Sequence, residues 1–203
     1  MSAANAILVI GPAWVGDMVM AQVLFRVLKQ QQPDTAIDVL APAWSVPLLA
    51  RMPEVRTSFD LPLKHGEFGF GARRKIGHEM RGKYRQAILL PNSWKSALVP
   101  FFANIPQRTG WRGEMRYGLL NDIRALDKAK YLLMIERFAA LAFPENTVLP
   151  ETLPYPKLLI NDDERQAVLK KHQLDLERPV LALCPGAEFG PAKRWPERHY
   201  AAV

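Results

Sequence analysis

The residues in this sequence best suited to chemistry sit in two Gly/Pro-rich turns, one near each end of the chain. The first, GPAWVGD (11–17), sets Asp17 just after an apolar run. It nearly matches two nucleotide-binding patterns and fails both. A P-loop needs a lysine after its last glycine to meet the β/γ-phosphates, and Asp17 stands there with the opposite charge. A dinucleotide-binding turn needs Gly-x-Gly-x-x-Gly, and position 13 is alanine. What remains is a carboxylate at a helix start, beside the carboxyl ends of parallel strands, where open α/β sheets place their ligands. Such a carboxylate can act as a general base on a hydroxyl. The same spacing also suits an aspartate that only caps or complements the helix terminus.

The second turn, CPGAEFGPAKRWP (184–196), has the opposite character. Lys193 and Arg194 come just before Pro196, which the pattern places at the first position of a helix. Backbone N–H groups, the helix dipole and a cation would together cradle a phosphate or diphosphate there. An ordinary basic turn fits the same residues. Taken as a pair, an acid on one side of a cleft and a phosphate cradle on the other suit transfer of a group activated by diphosphate. Histidines 65, 78, 172 and 199 show no metal-ligand spacing, and no Gly-x-Ser-x-Gly elbow is present. The single cysteine, Cys184, excludes a disulfide framework and fits a reducing compartment.

Charge is concentrated between these turns. Residues 64–116 hold eleven Lys or Arg against three Glu, a local charge of +8 in a chain of net charge +7. An excess so confined points to an anionic partner, whether phosphate, nucleic acid or acidic lipid, although a solvated basic face reads the same way. Trp94 and Trp111 lie in this segment, where a tryptophan is more often core than a binding surface.

The elements that must position these residues follow from the apolar pattern. Runs at 6–10, 36–40 and 86–90 read as strands, and helical periodicity appears near 18–30, 44–51, 72–82, 93–103 and 130–143. Continuous apolar strands separated by helices predict an open, doubly wound, mostly parallel α/β sheet. The stretch 107–121 (QRTGWRGEMRYGLLN) has no clear period and reads as a working loop. Prolines 144, 150, 154 and 156 mark a stiff connection, and 161–172 a helix with Asp162, Asp163 and Glu164 in its first turn. An apolar strand at 179–183 then restarts the strand–turn–helix pattern. The expected organisation is an N-terminal domain over 1–160, a connection over 161–178, and at 179–203 the beginning of a second domain cut short by truncation. The alternative is that 179–203 completes the first sheet.

With 203 residues, 49% of them hydrophobic and 23% charged, the chain can bury a substantial core. No apolar run approaches the roughly 18 residues of a membrane span, so a soluble protein is expected. A nucleic-acid-binding module rests only on the basic segment and a pI near 9.7, without a helix-turn-helix, RNP or zinc signature. An NAD-dependent oxidoreductase is disfavoured by the missing glycines.

Three long segments, GPAWVGDMVMAQ (11–22), LPNSWKSALVPFFANIPQRTGWRGEMRYGLLND (90–122) and CPGAEFGPAKRWP (184–196), closely resemble the ADP-heptose:lipopolysaccharide heptosyltransferases of glycosyltransferase family nine. The likeness runs along essentially the whole chain. The last segment resembles type II; type I carries a Thr-Thr pair and acidic residues before its Lys-x-Trp-Pro. The resemblance implies a GT-B fold of two Rossmann-like domains and an inverting, metal-independent transfer of heptose from ADP-heptose to the first heptose of the lipopolysaccharide inner core. It implies no cofactor, no nucleic-acid partner and a cytoplasmic protein, peripheral on the inner membrane. It makes Asp17 the general base and Lys193, with Gly186 and Glu188, the diphosphate site. Arg73, Arg74, Lys75, Lys95 and Arg112 are then the expected contacts to the anionic acceptor. Adenine and ribose contacts would lie beyond residue 203, so the fragment is expected to be inactive by itself.

Overall fold

The computed structural model describes residues 5–63, 67–187 and 190–203. They form two compact units, 1–159 and 160–203.

The first unit is built on a parallel sheet. Its strands are β1 (Ala6–Ile10), β2 (Ala36–Ala41), β3 (Val55–Asp60), β4 (Gln86–Leu89), β5 (Gln107–Trp111) and β6 (Asp122–Arg124), in the order β3-β2-β1-β4-β5-β6. Every pairing is parallel. The chain moves outward from β1 in one direction and returns to place β4 on its other side, so a topological switch lies between β1 and β4.

Side chains alternate across a strand, and here both faces are covered. Ile7 and Val9 of β1 join one core with Ile37, Val39 and Ile88, packed by Met18, Leu24, Phe25 and Leu28 of helix α1 (Val15–Gln31) and Phe138 of α5 (Met134–Ala140). Ala6, Leu8 and Ile10 join the other, with Leu40, Ala87, Leu89, Val99 and Ala103. That second face is closed by α3 (Phe70–Glu79) and α4 (Leu98–Phe102), while α2 (Val46–Leu49) follows β2. α3 and α4 touch closely at Gly77, where a Cβ would come within 2.6 Å of the Phe102 Cβ. Short 3-10 turns at Ala43–Ser45 and Trp94–Ala97 lead into α2 and α4, dividing what periodicity read as single helices.

Three strands, β3, β5 and β6, escape the apolar pattern. β3 is an edge strand with half-exposed residues, and β6 has only three. The stretch 107–121 is not all loop: its first five residues are β5, whose polar side chains have partners. Thr109 Oγ1 donates to Asp122 Oδ2 at 2.9 Å and accepts from Gln86 Nε2 at 3.1 Å. The proline-rich connection lies on α1. Buried Gln22 donates to the Lys157 carbonyl (2.9 Å) and accepts from its N–H (2.8 Å), as a neighbouring strand would.

The second unit holds α6 (Asp162–Lys171), whose N-cap Asn161 accepts from the N–H groups of Asp163 and Glu164, and the short α7 (Glu197–Tyr200) after Pro196. Pro196 is thus the residue before the helix rather than its first. The apolar run 179–183, expected as a strand, pairs with none among the described residues, and Val180, Leu181 and Leu183 are exposed. A strand is stable only against a neighbour, and among the described residues of this unit none lies beside it.

Candidate functional site

The first turn is shaped by a close approach. Gly11 N–H donates to Leu40 O at 2.9 Å, prolonging the β1–β2 pairing. A Cβ at Gly11 would meet the Met18 Cε at 2.7 Å and the Ala41 Cβ at 3.0 Å, so a larger residue would require the Met18 side chain to move aside. The chain then crosses to Trp14, the extended N-cap, and α1 begins at Val15. Asp17 is the acidic residue of its first turn, half-buried, where the dipole favours negative charge. It makes no side-chain hydrogen bond that would mark it as a cap, and among the described residues it has no ion pair.

Beside this turn, at the carboxyl ends of β1 to β4, opens a cleft of about 750 Å³. Ala13 follows β1, Pro42 and Trp44 follow β2, Asp60 ends β3, and Ser93 and Lys95 follow β4. Glu67 and Arg73 close it from α3 and the segment before it. This is the switch-point crevice of an open α/β sheet. Arg73 is 5% exposed, and its Nε donates to Phe68 O at 2.8 Å. Burial pushes its guanidinium below the ordinary value, and the nearby Glu67 carboxylate opposes that. Lys95 Nζ donates to Glu67 O at 3.4 Å.

Of the five cations expected at an acceptor site, the cleft gathers Arg73 and Lys95 only. Arg74 and Lys75 follow Arg73 on α3 but point outward and are exposed, because successive helical residues are about 100° apart. Arg112 is exposed and lines a separate hollow of about 490 Å³ with Tyr117, Asn121 and Glu145. Trp111 is core: buried, its Nε1 donating to Arg137 O at 3.1 Å and its ring 5.8 Å from Tyr131. Trp94 is partly exposed and stacks on Phe68.

The cleft has contributors that sequence reasoning missed. Asp60 belongs to the unrecognised β3, and Ser93 was visible only as part of the motif LPNSWK. Buried Arg116 fastens the loop after β5 to the loop after β4. It donates to Pro91 O (2.8 Å), Asn92 Oδ1 and Ser96 Oγ (both 3.3 Å) and Trp111 O. Glu114 Oε2 accepts from Trp94 N–H at 2.7 Å, and a Cβ at Gly113 would strike Asn92 O at 2.3 Å. The loop that carries Ser93 and Lys95 is thereby held rigid from below.

In the second unit Lys193 ends a 3-10 turn, Pro191–Lys193, entered through Gly190 at φ +98°. Arg194 Nε and Nη2 both donate to Ala187 O at 3.3 Å, curling the turn back on itself. Gly186, Arg194 and Trp195 line a hollow of about 810 Å³, whose lining does not include Lys193. Glu188 lies outside the described residues. Among those residues, no group of three or more His, Cys, Asp or Glu side chains gathers where a metal ion could be held, and no helix is long and apolar enough to cross a membrane.

Residues 73–203 match the family model of glycosyltransferase family 9 (heptosyltransferase). The chain belongs to this family. It is 56% identical over 203 residues to lipopolysaccharide heptosyltransferase 2 of Salmonella typhimurium and equally to that of Escherichia coli, and 50% identical to lipooligosaccharide heptosyltransferase 2 of Haemophilus influenzae. The solved structure of E. coli ADP-heptose lps heptosyltransferase II superposes with a TM-score of 0.87 at 53% identity, covering 97% of this chain. A family 9 glycosyltransferase from Veillonella parvula shares the fold at a TM-score of 0.81 and 17% identity. The two structural neighbours fit the GT-B architecture that the sequence implied. The chain spans 58% of the length of the Salmonella and E. coli relatives and 59% of the E. coli structure.

Proposed function

We propose that this chain is the acceptor-side portion of a lipopolysaccharide heptosyltransferase of the second type. The enzyme transfers L-glycero-D-manno-heptose from ADP-heptose to the first heptose of the lipopolysaccharide inner core. The observation that carries this reading is the 56% identity to proteins named lipopolysaccharide heptosyltransferase 2, sustained over 97% of the chain.

Residues 1–160 form the acceptor-side domain, 161–178 the connection, and 179–203 the start of the nucleotide-sugar domain. Asp17 removes the proton from the acceptor hydroxyl as its oxygen attacks the anomeric carbon. ADP leaves from the opposite face, so the configuration inverts. A general base supplies about 10²- to 10⁴-fold. Lys193 stabilises the charge that develops on the departing diphosphate, a contribution of comparable or larger size, with Gly186 and Glu188 in the same donor-binding turn. The chemistry calls for no metal, since a cation and backbone donors take that charge. Arg73 and Lys95 meet the anionic acceptor sugars. The substrate is held in the membrane, so the enzyme works at the cytoplasmic face of the inner membrane.

The test is an assay of the full-length protein with ADP-heptose and an inner-core acceptor carrying one heptose. Release of ADP together with an acceptor one heptose heavier supports the reading. Transfer only to an acceptor lacking heptose would assign the other type, and hydrolysis without transfer would contradict both.

A further inference from the structure

A ladder of aromatic rings runs along the outside of the first unit from the mouth of the cleft. Trp94 stacks on Phe68 (5.8 Å, 14°), and Phe68 on Phe70 (6.0 Å, 14°). Phe70 meets Phe102 edge-on (5.5 Å, 87°), and Phe102 meets Phe101 (5.6 Å, 71°). Four of these rings reach solvent: Trp94 is 36% exposed, Phe68 47%, Phe70 44% and Phe101 41%. Exposed large residues are ordinary when scattered, but a continuous apolar strip marks a surface made to be covered.

The strip is edged by cations. On α3, Phe70, Arg74 and His78 follow one another at four-residue spacing and so share one edge of the helix, with the His78 ring 6.3 Å from Phe102. Arg81 Nε donates to Phe102 O at 3.0 Å, and the Arg108 guanidinium lies 5.9 Å over the Phe101 ring. Rings that bring an apolar body to the headgroup level, beside arginines that meet lipid phosphates, are the composition of an interfacial surface.

We infer that this strip, Trp94, Phe68, Phe70 and Phe101 with Arg74, Arg81 and Arg108, is the surface on which the protein rests on an anionic lipid bilayer. The cations match negatively charged headgroups, which neither an apolar groove nor an uncharged partner would need. Trp94 lies between Ser93 and Lys95, both at the cleft, so the strip starts where the cleft opens. A membrane-held acceptor would then present its sugars to Asp17 without leaving the bilayer. That last step rests on the proposed function; the docking surface does not.

The experiment is co-sedimentation of the full-length protein with acceptor-free vesicles of phosphatidylethanolamine and phosphatidylglycerol, against phosphatidylcholine vesicles. The anionic vesicles should retain the protein, and salt should release it. Phe70→Ser with Phe101→Ser, and separately Arg74→Glu with Arg81→Glu, should each weaken binding about tenfold or more. Lys170→Glu with Lys171→Glu, the same charge change on exposed α6, should not. Thermal unfolding checks that the variants fold, and the arginine pair, being exposed, keeps the test valid if the ring pair does not. Equal binding by all variants, or equal loss in the α6 control, overturns the assignment. So does a wild-type protein that ignores the vesicles and self-associates through the rings. Transfer to a lipid-free oligosaccharide acceptor, assayed in parallel, should survive in the arginine variant. Its absence in the wild type would sink the functional reading and leave the surface standing.

Discussion

Arg73 and Arg74 are neighbours in sequence and face different surroundings in the fold. Arg73 is buried against the cleft with its Nε on Phe68 O at 2.8 Å, whereas Arg74 stands exposed on the edge of α3 that carries Phe70 and His78. A single basic cluster in the sequence thus divides between two surfaces of the fold.

The division has a kinetic consequence in the full-length enzyme. Arg73→Ala should raise the KM for a lipid-free acceptor about tenfold and leave the KM for ADP-heptose nearly unchanged, with Arg73→Lys recovering part of the loss. Arg74→Ala and Lys75→Ala should change neither. Equal effects of Arg73→Ala and Arg74→Ala, or a loss shared by donor and acceptor, would return Arg73 to a packing role.

Asp122 links acidity to stability. Burial alone would raise its pKa, but it is outweighed by hydrogen bonds from Arg124 (2.8 Å) and Thr109 (2.9 Å) and by the Arg124 charge, which hold the carboxyl below its ordinary value. A folded-state pKa below the unfolded one gives stability that is complete above about 3.9 and is lost as pH falls through the folded value. Asp122→Asn should therefore cost about 1–3 kcal/mol at neutral pH, toward the low end because the side chain is 25% exposed. The gap from wild type should close in acid. Denaturant melts across pH measure it, and a gap that stayed constant would show that the charge is not what matters.

Arg116 is a larger structural stake. Four acceptors converge on its two terminal nitrogens, and its Nε is buried without a hydrogen-bond partner among the described residues. Arg116→Met keeps much of the apolar stem but strands those acceptors, so it should destabilise by about 2–4 kcal/mol. It should also lower kcat, since the loop bearing Ser93 and Lys95 loses its tether. An unchanged melting temperature would mean that water replaces the guanidinium at no cost.

Much of the sheet was legible because β1, β2 and β4 are covered on both faces and read as unbroken apolar runs, with α1 periodic between them. β3 was hidden by its place at the sheet edge, where VRTSFD needs no continuous apolar face, and β6 by its length. β5 was concealed by Arg108 and Thr109, polar residues whose partners lie in β4, β6 and the following loop. The place of Asp17 in the first turn of α1 was legible from its position after a glycine turn. The inward and outward arginines of α3 were not, because only packing against Phe68 and α4 fixes which side of that helix is buried. The strand expected at 179–183 shows the converse: its residues are apolar, but among the described residues of its unit no strand stands beside it.

The central claim is that Asp17 is the base. Asp17→Asn keeps the size and polarity of the side chain and removes only its ability to accept a proton. In the full-length enzyme, with ADP-heptose and a heptose-terminated acceptor, turnover should fall about 10²-fold or more while ADP-heptose binding, measured by calorimetry, is unchanged. Turnover within a few-fold of wild type would contradict the assignment.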